Sequence, residues 1–290
     1  MNDNRQKVLV VGPALTLSGY GEQTRFALRA LRSQEDQYDI YLNTTSWGAT
    51  GWLHEDNEER EWIDSLLHKT VQFGQQNGQF DMSLQVTIPN EWQKIAPVDV
   101  GYTAGIETTR VSGEWIQASR NIDRIIVVSN HSKEIYENTQ YDMIDQQTHQ
   151  KVGVAKCEVP VISVNYPVKS FDPVDLGLNF STDFNFLTVA QMGPRKNVPA
   201  TIEAFVEEFH DDENVGLVLK VFHMACSTMD RIFVKQQLAE ALKRWPDRKC
   251  KIHLLHGHLS DAEMHSLYAH PQIKGIFSLT HGEGFGLPLF

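Results

Sequence analysis

Apolar, β-branched runs alternate with helix-patterned stretches along this chain, and the whole alternation occurs twice. Runs of Val, Ile and Leu that each precede an amphipathic stretch fit strands buried on both faces of a parallel sheet, because parallel neighbours need a helical crossover between them. The first alternation predicts strands at 7–11, 38–42, 82–87, 98–102, 124–128 and 159–164, with helices at 22–33, 55–73 and 132–139. Residues 165–183, which include Pro167 and Pro173, read as a linker. The second alternation predicts strands at 185–190, 216–221, 251–255 and 275–278, with helices at 199–209, 230–244 and 261–269. The fold class is therefore α/β, with two tandem Rossmann-like domains at 1–166 and 167–290, the second incomplete at its C-terminus.

Composition narrows the class. The 290 residues are 41% hydrophobic and 22% charged, enough apolar material for two domain cores. No stretch approaches the roughly 18 uncharged apolar residues of a membrane span, and residues 1–7 lack the apolar run of a signal peptide, so a cytoplasmic protein is expected. Cys157, Cys226 and Cys250 are odd in number and far apart, which suggests neither a disulfide framework nor a zinc motif; reduced, buried thiols are expected. A net charge of −11 without a Lys/Arg cluster argues against nucleic acid as a partner, although local cations and helix-start amides can still hold a small anion. The acidic run Glu55, Asp56, Glu58, Glu59, Glu61 reads as a solvated helix start.

Several loops carry candidate chemistry. The stretch 12–21 joins the first strand to the first helix; Gly19 and Gly21 there let backbone approach a ligand, or simply make a tight turn. Its spacing is not Gly-x-Gly-x-x-Gly, and no acidic residue ends the second strand, so a dinucleotide site is not indicated. Residues 105–110 place Glu107, Thr108 and Arg110 after a strand, where Glu107 and Arg110 either face a ligand or pair with each other. Ser129 or Ser132 can cap the helix that follows, and His131 reads as polar surface.

In the second half, Gly193-Pro194-Arg195-Lys196-Asn197 follows a strand and opens a helix, with Asn197 as a plausible cap; the adjacent cations either bind an anion or form a solvated pair. His256 to Glu263 follows another strand. Ser260 and Glu263 have capping-box spacing, while His253, His256 and His258 lack a carboxylate partner and are poor metal ligands. The chain has no Asp-x-Asp, and it ends in Thr280-His281-Gly282-Glu283-Gly284-Phe285-Gly286-Leu287-Pro288-Leu289-Phe290.

Taken together, the 12–21 loop, the Glu-Thr-Thr-Arg stretch with Trp115 and the Asp123 to Ser132 run, the Pro-Arg-Lys-Asn loop and the terminal Glu-Gly-x-Gly resemble retaining GT-B glycosyltransferases of family 4 type (glycosyl transferases group 1), from about residue 7 to residue 290. The resemblance implies a GT-B-like fold with two parallel sheets facing across a cleft, and same-face transfer of a sugar from a nucleotide-diphosphate donor to an acceptor hydroxyl. It assigns Arg195, Lys196 and Glu283 to catalysis, the two cations on the donor diphosphate and the carboxylate on sugar hydroxyls. Donor contacts would come from Gly19, Gly21, Gly193, Asn197, His258, Leu259, Gly284, Phe285 and Gly286, and contacts to the acceptor or sugar from Glu107, Thr108 and Arg110. No metal and no cofactor beyond the nucleotide sugar is implied; the acceptor, whether glycan, lipid or protein, is not readable. The signature's second Glu would fall on residue 291, so the resemblance implies a C-terminally truncated chain with an exposed strand edge and a tendency to aggregate. A sugar-nucleotide 2-epimerase and a non-catalytic nucleotide-sugar-binding remnant are the alternatives.

Overall fold

The computed structural model describes residues 4–104 and 107–289. Gly105 and Ile106, at the start of the 105–110 stretch, and Phe290 lie outside the described residues. The chain divides into two compact units, Met1–Pro167 and Val168–Phe290.

The first unit runs β1 (Gln6–Gly12), α1 (Gly19–Arg32), β2 (Tyr38–Thr44), α2 (Glu58–Gln75), β3 (Met82–Gln85), β4 (Val98–Thr103), α3 (Gly113–Ala118), β5 (Arg124–Val127), α4 (Asn130–Asn138), β6 (Gln140–Ile144), β7 (Lys151–Lys156) and β8 (Val161–Ser163). Six strands form a sheet in the order β2-β1-β3-β4-β5-β8. Every pairing in it is parallel, with Val8 opposite both Ile40 and Met82. Val8 and Val10 are fully buried, as a strand covered on both faces requires.

Three local features differ from expectation. Helix α1 starts at Gly19, because the Ser18 hydroxyl accepts from the Gly21 amide and caps it. Glu59, in the acidic run, is not merely solvated: Arg29 of α1 donates to both its oxygens, at 2.5 and 2.7 Å. The antiparallel hairpin β6–β7 went unforeseen because its strands are short, largely exposed and weakly apolar. It is anchored by Tyr141, whose hydroxyl donates to Val111 O at 2.6 Å.

The second unit comprises β9 (Phe184–Gln191), α5 (Val198–Phe209), β10 (Val215–Phe222), α6 (Thr228–Leu242), β11 (Lys251–Leu255), α7 (Asp261–Tyr268) and β12 (Ile273–Ile276). Its sheet has the order β11-β10-β9-β12, parallel throughout, so β12 is an edge strand among the described residues. Alternate residues of β10 face opposite layers. Leu217, Leu219 and Val221 pack with Ile202, Phe205 and Val206 of α5 and Val234 and Leu238 of α6. Val218 faces the other layer, with Leu187, Phe180 and Leu267 of α7. Helices thus cover both faces of a parallel sheet, a Rossmann-like arrangement.

The segment read as a linker is mostly part of this unit. Phe180 and Thr182 are buried, Val174 N donates to Ser266 Oγ at 2.8 Å, and the Gln272 side chain bonds both N and O of Phe180. Of the cysteines only Cys250 is buried; Cys157 is half-buried and Cys226 exposed, and all three are free thiols.

The 12–21 loop distinguishes its two glycines. A Cβ at Gly21 would overlap the Thr16 carbonyl, whereas one at Gly19 would meet nothing within 4 Å. Arg25 holds the loop from below, donating to Ala14 O at 2.7 Å and Thr16 O at 3.0 Å. Gly21→Ala is therefore expected to destabilise the protein by about 1–3 kcal/mol, and Gly19→Ala by less than ~0.5 kcal/mol, in urea unfolding. Equal effects would contradict this packing.

Candidate functional site

The strand order of the second unit reverses at β9. The chain leaves it toward β10 and β11 and returns on its other side as β12. In an open α/β sheet ligands bind in the crevice at the carboxyl ends of such strands, beside the loops that leave them. Those loops are residues 192–197 after β9 and 277–286 after β12.

Hydrogen bonds clasp them together. The Arg195 carbonyl accepts from His281 N at 2.9 Å and from Thr280 Oγ1 at 3.1 Å. Arg195 Nη1 donates to Gly282 O at 2.6 Å, and Asn197 Nδ2 to Leu279 O at 3.1 Å. Asn197 occupies the N-cap position of α5 with a left-handed backbone (φ 49°), yet its side chain makes no cap bond. The expected cap is corrected on this point: the amide is engaged with the second loop instead.

This clasp brings together the three residues singled out for catalysis. Lys196 Nζ forms an ion pair with Glu283 Oε1, and Arg195 Nη1 lies 3.6 Å from Glu283 Oε2. The Lys196 and Glu283 side chains are only 14% and 17% exposed, whereas Arg195 is 46% exposed. Lys196 is thus held in a partly desolvated crevice, where charge interactions are stronger than at an open surface. Two cations against one carboxylate leave the trio net positive, and the N-terminus of α5 adds its partial positive charge. An anion could be held here between the two loops.

The glycines shape the surroundings. Gly193 is exposed, with no atom within 4 Å of an added Cβ, and Gly286 takes φ +88°, where a side chain is strained. Gly284 and Phe285 lie in the same loop as Glu283.

The loops after β10 and β11 carry a second cluster that the sequence reading missed. Asp230, at the start of α6, accepts from His223 N at 3.0 Å and Met224 N at 2.8 Å, and His256 Nε2 donates to it at 2.8 Å. His256 therefore has a carboxylate partner, contrary to expectation; the signal was absent because 26 residues separate the two. Lys220, in the middle of apolar β10, is 8% exposed and donates to Gly257 O at 2.5 Å. Burial depresses its pKa. His258 is exposed. The Leu259 side chain packs into the layer around Leu267, and Ser260 and Glu263 form the expected capping box. Among the described residues no group of three His, Cys, Asp or Glu is placed to hold a metal ion.

Burial alone would raise the Asp230 pKa, but the hydrogen bonds from His256 and from the His223, Met224 and Ala225 amides outweigh it and hold the carboxyl at about 2. A folded pKa below the unfolded value of about 3.9 means stabilisation that is complete above the unfolded pKa and lost as pH falls through the folded one. Asp230 is expected to contribute about 2 kcal/mol at neutral pH. Urea unfolding at pH 7 and pH 3 should show a smaller loss of stability on acidification for Asp230→Asn than for wild type; equal losses would refute the assignment.

In the first unit, Glu107, Thr108 and Arg110 are exposed on the loop after β4. Thr108 Oγ1 donates to Arg110 O at 2.8 Å, and the Arg110 guanidinium donates to Gln140 O at 2.7 Å while lying 4.5 Å from the Tyr141 ring centroid. Arg110 is thus braced against the hairpin. Ser129 caps α4 through the Ser132 amide, and His131 is exposed. Also unforeseen is Tyr20, whose hydroxyl bonds Thr103 Oγ1 at 2.7 Å while its ring stacks on Trp47 at 4.2 Å.

No protein-family model matches the chain, and no curated protein matches it. Among solved structures it is similar to TarM, with a TM-score of 0.39 and 15% identity over 71% of this chain and 38% of that one. It is also similar to a glycosyltransferase from Rickettsia africae ESF-5, with a TM-score of 0.46 and 13% identity over 96% of this chain and 73% of that one. The chain thus spans well under half the length of TarM.

Proposed function

We propose that this chain transfers a sugar from a nucleotide-diphosphate donor to an acceptor hydroxyl, as a GT-B-type, family 4-like glycosyltransferase acting with retention. The observation that carries the reading is the meeting of Arg195, Lys196 and Glu283 at the strand-order reversal of the second unit. Cleaving a sugar–phosphate bond leaves negative charge on the departing diphosphate, and fixed cations aimed at it stabilise the transition state more than the ground state. Lys196, Arg195 and the start of α5 would supply that charge without a metal, while Glu283 would accept hydrogen bonds from sugar hydroxyls. Gly193, Asn197, Gly284, Phe285 and Gly286 would line the donor side together with His258 and Leu259. The same reading gives Gly19, Gly21, Glu107, Thr108 and Arg110 of the first unit to substrate contacts. A cytoplasmic location, suited to three free thiols, belongs to the same reading. No helix among the described residues is long and apolar enough to cross a membrane.

The test is to incubate the protein with uridine, guanosine, adenosine and thymidine diphosphate hexoses and a panel of glycan, lipid and peptide acceptors. Release of free nucleoside diphosphate is expected from one donor class, with the anomeric configuration retained in the product by NMR. Inversion would overturn the retaining mechanism. Donor binding with no release under any condition would favour a binding protein, and interconversion of donors without transfer an epimerase.

A further inference from the structure

We infer that Lys220 and the Asp230–His256 pair are positioning residues that set the loop 256–259 as a wall of the nucleoside pocket and thereby tune which base is accepted. The inference rests on the nucleotide-sugar reading above. With the diphosphate at the β9/β12 reversal and the sugar on the Glu283 side, the nucleoside has one direction left along the sheet edge. Glu283 and the sugar take the β12 side of β9, and on the other side of β9 the sheet continues through β10 and β11. The nucleoside therefore lies over the loops that follow β10 and β11, the two that Asp230 and Lys220 fasten.

The fastening is specific in geometry. Asp230 holds the first loop through the His223 and Met224 amides and the second through His256, both side chains being nearly buried at 6% and 2% exposed. Lys220 adds a second attachment one residue further on, at Gly257 O, where the backbone turns through φ +125°. A lysine is a poor choice for stability in this place. Its neighbours on β10 are apolar, and its amine loses water for a single hydrogen bond of 2.5 Å to a neutral carbonyl. A methionine would fill the volume without that desolvation. What the lysine provides that an apolar side chain cannot is a fixed carbonyl, and hence a fixed orientation of the following peptide groups, which are those able to read a base edge. With 8% exposure it acts through the loop rather than by touching the ligand.

The experiment uses the full chain with Lys220→Met and His256→Gln, titrated by calorimetry with uridine diphosphate, guanosine diphosphate and inorganic pyrophosphate, alongside melting curves. Wild type is expected to prefer one nucleotide. Lys220→Met is expected to melt at or above the wild-type temperature, to bind that nucleotide roughly tenfold more weakly, which corresponds to about 1.4 kcal/mol, to discriminate less between the two bases, and to bind pyrophosphate as wild type does. His256→Gln should show the same split and decides the matter if the lysine variant does not fold. Unchanged nucleotide affinity and base preference in a folded variant would overturn the inference, as would parallel losses for nucleotide and pyrophosphate. Failure of wild type to bind either nucleotide or pyrophosphate would overturn the underlying functional reading instead.

Discussion

Lys196→Met is expected to slow sugar transfer by roughly a hundredfold or more, the largest functional effect of any single substitution in the site. The lysine is the less exposed of the two cations, 14% against 46% for Arg195, so its field on the departing diphosphate is less screened. Arg195→Ala is expected to lose less, on the order of tenfold, because that guanidinium is more solvated. The loss should fall on kcat more than on KM, since the charge it meets grows only as the bond breaks. Lys196 also neutralises Glu283, so part of the effect could come from a stranded carboxylate. Glu283→Gln combined with Lys196→Met separates the two: coupled residues give a double variant less impaired than the sum of the singles. Initial rates of nucleoside diphosphate release at saturating donor provide the comparison, and a Lys196→Met rate within threefold of wild type would contradict the assignment.

Phe205→Ala is expected to destabilise the second unit by about 3–5 kcal/mol. Phe205 lies on α5 with 1% exposure, between the rings of Phe209 at 5.1 Å, Phe186 at 6.2 Å and Phe277 at 6.5 Å. Removing it opens a cavity shared by α5, β9 and the chain just after β12, the elements that the clasp residues adjoin. The consequence reaches the site: the loops around Arg195 and Glu283 lose the packing that fixes their spacing. Urea unfolding followed by tryptophan fluorescence measures the change, and a loss below 1 kcal/mol would mean that the aromatic cluster is not the support described.

Much of this architecture was legible in the residues. Strands such as Val8 to Val11 and Val215 to Leu219 are apolar on both faces, which only a covered parallel sheet tolerates, and Ser260 with Glu263 carries the capping box of α7 in its spacing. The Arg195-Lys196 pair and Glu283 were legible as candidates because each follows a predicted strand. Their meeting was implied only by the family resemblance; spacing alone does not show it, since it depends on β12 joining the sheet beside β9 rather than beyond β11. The hairpin at residues 140–156 carries too little periodicity to be seen, and the linker reading failed because Phe180 and Gln272 act at a distance of 92 residues. Lys220 could have been noticed: a lone lysine inside VGLVLKVF breaks the pattern around it, and a charge in an apolar strand calls for a partner. Asp230 offered no such sign, being an ordinary first-turn acid in a helix.

The central claim is that the clasp at the end of β9 and β12 is a diphosphate site. The most direct test is calorimetric titration of uridine, guanosine, adenosine and thymidine diphosphates into wild-type protein and into Lys196→Met. The account predicts saturable binding of at least one of them to wild type and its loss, or a weakening of tenfold or more, in the variant. Binding that is equally strong in the variant, or no binding of any nucleoside diphosphate to folded wild type, would contradict it.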